Sequence, residues 1–134
     1  MLTIGKQQLE ALKGSVQRAY ARDVARYIRA EHPDAVRAIS DEELLRRVSL
    51  GIARAESHGL TWDSSITAFV AMMFEVAPTF DEQPSISRVL KDESIPADRR
   101  LDALWERTTD EDWDEAEARA SLAEAFWNGV NAEH

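Results

Sequence analysis

The chain has 134 residues, no cysteine and a formal net charge of −9, a size that buries roughly two thirds of its unfolded surface in one domain. The missing cysteines exclude disulfides and thiolate chemistry, and no window approaches the roughly 20 apolar residues of a membrane span. Charge is uneven: residues 1–60 carry 10 Lys+Arg against 8 Asp+Glu and residues 61–134 carry 6 against 17, so the second part lacks the cation cluster that nucleic-acid phosphates require.

The opening MLTIGKQQLE has neither a basic start before a long apolar run nor a small-residue cleavage site, so a cytoplasmic protein without a secretory signal is expected. Thr3 is a candidate cap for a first helix running to about Glu31, with Leu9, Leu12, Val16, Tyr20, Val24, Tyr27 and Ile28 on one face. Lys6, Lys13, Arg18, Arg22, Arg26 and Arg29, with Glu10 and Asp23 among them, form a solvated face opposite. His32-Pro33 breaks that helix, and Pro33 opens a short helical turn to about Ala38. Ser40 and Glu43 have capping-box spacing, so a third helix begins there with Leu44, Leu45, Val48, Ile52 and Ala55 inward. Gly59 is placed to end it in the left-handed conformation, with Leu60 making the accompanying apolar contact.

Thr61 or Asp63 then caps the most apolar helix of the chain, about residues 62–77, in which Ile66, Phe69, Val70, Met73, Phe74 and Ala77 share a face. The rest of the fold is expected to pack around it. Pro78, Asp81 and Pro84 mark a loop fixed by Phe80, followed by a short helix from Ser85 to Asp92 with Ile86, Val89 and Leu90 inward. Pro96 leads into a helix bearing Leu101, Leu104 and Trp105 on a core stripe. Thr109 with Asp112 caps the last helix, whose stripe is Trp113, Ala116, Ala120, Ala123 and Trp127, and Gly129 ends it before a frayed VNAEH tail. With no alternating β-branched run to demand a strand, the chain is expected to be a single all-α domain over residues 1–134, of six or seven helices. Residues 108–134 form its acidic C-terminal helix and tail.

Chemical signatures are sparse. A helix-turn-helix reading of the two central helices fails because no Lys or Arg lies between Arg54 and Arg88 to meet phosphate or guanine. Asp110, Asp112 and Asp114 imitate the start of a calcium loop, but Glu115 stands where glycine is needed and Ser121 where a bidentate Glu is needed. No metal, cofactor or catalytic set is therefore expected. His58 near Asp63 is the sole candidate for a general base, and a histidine in the last turn of a helix already has a role against its carbonyl end. Aromatic residues point instead to a protein partner: Trp62 and Trp113, together with Phe80, are candidate anchors, and Asp110, Asp112 and Asp114 supply acidic steering. Trp105 and Trp127 read as core. No feature fixes an oligomeric state.

The run Gly51, Ile52, Arg54, Ala55, then His58, Gly59, Leu60, Thr61, then Met73, Phe74, Phe80, Asp81, Arg100 and Leu104 resembles small helical accessory proteins encoded in bacterial type VI secretion clusters beside spike-tip (PAAR-type) effectors and their loading chaperones. The resemblance covers about residues 1–107. Trp62-Asp63-Ser64 stands where that group usually has Glu-Arg-Asp, and Ala77-Pro78 where a glycine is common. What the resemblance implies is a cytoplasmic, non-enzymatic adaptor or co-chaperone that binds a secretion effector or its loading chaperone. The same genetic setting suits an immunity protein that neutralises a cationic toxin.

Overall fold

Residues 5–129 are described by the computed structural model, and among them every regular element is helical. Seven helices of five residues or more are present, with a four-residue helical turn and short 3-10 turns. None of these helices is long and apolar enough to cross a membrane. The chain divides into two units, Met1–Ser49 and Leu50–His134, and the division falls inside one helix.

In the first unit, helix α1 spans Lys6–Glu31. Thr3, the expected cap, lies outside the described residues; the first turn is instead closed by Gln8, whose Oε1 accepts from the Gly5 N–H at 2.8 Å. Only Ala21, Val24 and Ile28 of α1 are buried. Leu9, Leu12, Val16 and Tyr27, expected on the core face, are exposed. At 3.6 residues per turn the buried trio lies roughly a quarter turn away from the line through Leu9, Val16 and Tyr27, so the helix carries two apolar stripes that a count of spacings merges into one. Helix α2, Pro33–Val36, follows the break at His32, and helix α3, Asp41–Ser57, begins after Ser40. Arg29 ties this connection down, donating to Val36 O, Ile39 O and Asp41 Oδ1 at 2.7–2.9 Å, which satisfies carbonyls that a helix end leaves open. Half of the expected capping box forms: the Glu43 N–H donates to Ser40 Oγ at 3.1 Å, but the Glu43 carboxylate turns forward to Arg46 and Arg47.

In the second unit, α3 ends as expected. Gly59 has φ +85°, its N–H donates to Glu56 O and the Leu60 N–H donates to Ala55 O, the paired bonds of a Schellman motif, and the Leu60 side chain is buried. Helix α4, Asp63–Glu75, is the apolar helix, with Ile66, Phe69, Val70 and Met73 buried. Gly51 lets α3 approach it: a Cβ there would lie 3.2 Å from both Met73 Sδ and Val70 Cγ2. The α4 cap differs from expectation. Neither Thr61 nor Asp63 caps it; Asp98, far along the chain, accepts from the Thr61 and Trp62 N–H groups at 2.9 Å each and from Thr61 Oγ1 at 2.8 Å. Burial works to raise the Asp98 pKa, and the two backbone N–H groups outweigh it and hold the carboxyl below its ordinary value.

A 3-10 turn at Phe80–Glu82 leads into helix α5, Pro84–Leu90, capped by Gln83, whose side chain accepts from the Ile86 N–H. A second 3-10 turn after Pro96 leads into helix α6, Arg100–Arg107, and Arg100 donates to Ile95 O and Leu90 O. Thr109 and Asp112 form the expected reciprocal box at the start of helix α7, Asp110–Glu117. The last helix is not continuous: residues Ala118–Leu122 tighten to 3-10 before helix α8, Ala123–Trp127. Five residues at about 120° rather than about 100° each rotate everything beyond them by roughly 100°, so the stripe counted at 3.6 residues per turn breaks. Ala120 is exposed while Ala116 and Trp127 are buried. Gly129, φ +72°, ends the helix as expected, and the tail after it lies outside the described residues.

Candidate functional site

Two constellations in the second unit carry polar or aromatic chemistry. The first is built on the last turns of α3, where Arg54 and His58, four residues apart, face the same way. Both reach Asp81 in the 3-10 turn. Arg54 Nε and Nη2 donate to Asp81 Oδ2 and Oδ1 at 2.9 Å each, and Nη2 also donates to Glu82 Oε2 at 2.8 Å. His58 Nε2–H donates to Asp81 Oδ2 at 2.8 Å; the carboxylate, a pure acceptor, fixes that direction. Asp81 is buried. Burial pushes its pKa up, but the His58 and Arg54 hydrogen bonds outweigh burial and hold the carboxyl below its ordinary value. Arg54 shows the converse: burial lowers its pKa, and Asp81 with Glu82 raises it further than burial takes it down. The guanidinium also lies 5.1 Å from the centre of the Phe126 ring.

A cleft of about 350 Å³ opens beside this cluster, lined by Ser57, Ser87 and Lys91 as well as the ionic residues. A carboxylate that holds a histidine is also how a general base is oriented, and here Asp81, not Asp63, takes that position toward His58. Arg54 grips the same carboxylate in a two-pronged fork, which neutralises it and ties α3 to the loop that carries Phe80. The arrangement is that of a clamp. Among the described residues no three metal-ligating side chains converge.

The second constellation is aromatic. Trp105 is 64% exposed, contrary to its expected core position, because it sits on the rim of the α6 stripe whose centre Leu101 and Leu104 occupy. Its ring stacks on Trp113 with centroids 5.5 Å apart, and Trp113 stacks on Phe80 at 6.2 Å. Phe80 meets Phe69 at 4.9 Å and Phe69 meets His58 at 5.3 Å. An unbroken series of ring contacts thus runs from an exposed tryptophan to the ionic clamp. Trp113 is half-buried, and its Nε1–H donates to Thr108 Oγ1 at 2.8 Å, so its polar edge is satisfied within the chain.

The expected partner residues are placed unevenly. Trp62 is 48% exposed, with the Arg99 guanidinium 5.0 Å from its ring centre. Phe80 has no exposed surface; it anchors the loop and is corrected as a docking residue. Asp110 and Asp114 are exposed on α7. Asp112 is engaged internally, accepting from the Thr109 N–H at 2.9 Å and from Gln83 Nε2 at 3.3 Å, and the Thr109 bond leads the lowering of its pKa. Trp105, expected in the core from its spacing, lies open to solvent beside Trp113 instead. The positions that carry the resemblance have structural tasks in this unit: Gly51 admits Met73, Arg54 and His58 hold Asp81, Phe74 stacks on Trp127 at 5.3 Å, and Leu104 is fully buried. No family model, curated protein or solved structure matches the chain.

Proposed function

We propose that the protein is a non-enzymatic, cytoplasmic bacterial adaptor or co-chaperone that binds a type VI secretion effector, or the chaperone that loads it, by protein-protein contact. The observation that supports binding is Trp105, an exposed ring already stacked on Trp113 and through it on the core. Rings held this way lose little freedom on binding, and tryptophan is enriched among residues that dominate interfaces. Asp110, Glu111 and Asp114 are exposed on the helix that carries Trp113, which suits a basic partner surface. The type VI assignment rests on the resemblance over residues 1–107.

The same acidic surface supports a second reading, an immunity protein closing on a cationic toxin, and inhibition separates the two. Co-purification of the tagged protein with the products of its neighbouring genes is expected to recover an effector or a loading chaperone with its activity intact. Failure of the folded protein to recover any neighbour overturns the adaptor, and recovery of an inhibited toxin replaces it with the immunity protein.

A further inference from the structure

Among the described residues, helix α1 carries an apolar stripe that stays exposed. Residues 6–20 include no buried side chain, yet Leu9, Leu12 and Val16 are exposed on one line, with Val16 at 60% and Tyr27 further along it at 47%. From Leu9 to Tyr27 the line runs about 27 Å at 1.5 Å per residue. The unburied part of the helix, residues 6–20, is about the length at which an isolated helix is marginal in water, and an apolar stripe opposite cations is the pattern of a helix with a helical partner.

We propose that this stripe is covered by α1 of a second copy, paired antiparallel about a two-fold axis near residue 18. Charge placement selects that occupant and that direction. One flank of the stripe bears Lys6 and Lys13 toward the N-terminal end and Glu31 at the C-terminal end, all exposed. In an isologous antiparallel pair each contact occurs twice. The register sets Leu9 beside Tyr27 of the second copy, Val16 beside Tyr20 of the second copy, and Lys6 beside Glu31 of the second copy. A parallel pair would gather all four flank lysines at one end, with the two glutamates at the other.

The test is the mass of the full chain in solution by light scattering and sedimentation across micromolar concentrations. The expected species has twice the 15.1 kDa chain mass, and Val16→Glu is expected to weaken it at least tenfold. Lys6→Glu and Glu31→Lys are each expected to weaken it by about threefold, the scale of exposed ion pairs, and the double reversal is expected to restore it. A monomeric wild-type chain overturns the proposal, as does a dimer indifferent to Val16→Glu or a double reversal that fails to restore pairing. If the wild-type chain is monomeric and Val16→Glu abolishes recovery of a neighbouring gene product, the stripe belongs to that product instead.

Discussion

Each unit holds a carboxylate gripped by two basic side chains, and the two carboxylates differ in what surrounds them. In the first, Glu43 on α3 accepts from Arg46 Nε at 2.9 Å and from Arg47 Nε at 2.8 Å, all within one helical turn and partly open to water. In the second, Asp81 is buried and is held by Arg54 and His58 from 27 and 23 residues away. Hydrogen bonds from Arg46 and Arg47 bring the Glu43 pKa down to about 2. Both carboxylates are therefore held ionised, yet only one closes a tertiary contact. Water can replace a lost partner at Glu43 and has far less access at Asp81, so the same chemical pair decorates one helix and secures a loop in the other unit.

Breaking the buried side should have the largest effect. Asp81→Ala leaves Arg54 without its main partner and is expected to cost about 3 kcal/mol, the low end for breaking a buried pair because Arg54 retains some solvent contact; urea denaturation reads it as a lower midpoint. His58→Ala, which removes one hydrogen bond to the same carboxylate, is expected to cost about 1.5 kcal/mol. An equal cost for the two would mean that Asp81 acts mainly through His58.

Acid separates the two carboxylates further. The Asp81 carboxyl is lowered in the fold from an ordinary value of 3.8, so its contribution is complete above the ordinary carboxylate range and is lost as pH falls below that value toward the lowered one. Stability measured from pH 6 downward should fall less steeply below pH 4 in Asp81→Ala than in the wild type. The smallest effect is expected at Glu43: Glu43→Gln should move the midpoint little at low salt and not at all at about 1 M salt, where the Debye length is about 3 Å. A shift that persists in high salt would make the exposed cluster equivalent to the buried one.

Legibility in the sequence follows the same division between local and distant. The apolar helix around Phe69, the stop at Gly59, the Thr109 and Asp112 box and the end at Gly129 are set by neighbours within a few residues, and each is where the spacing places it. The cap of α4 by Asp98 and the hold of His58 on Asp81 join residues 36 and 23 apart, so nothing in local spacing marks them. Periodicity also fails where a helix is apolar on more than one side. Val16 and Ile28 satisfy one count, but only Ile28 is buried. Trp105 shows the same limit at the edge of a stripe, where spacing does not say on which side of the rim a large ring will lie.

The proposed binding role turns on Trp105, supported by Trp113, being a docking surface and not a core position left open. The most direct measurement is the affinity of Trp105→Ala for whichever neighbouring protein the wild type recovers, taken together with its urea midpoint. A docking role for Trp105 gives an expected affinity loss of at least about tenfold, the scale of an interface tryptophan, with the midpoint nearly unchanged because the ring is 64% exposed. Unchanged affinity, or a midpoint that falls as far as in Asp81→Ala, would contradict it.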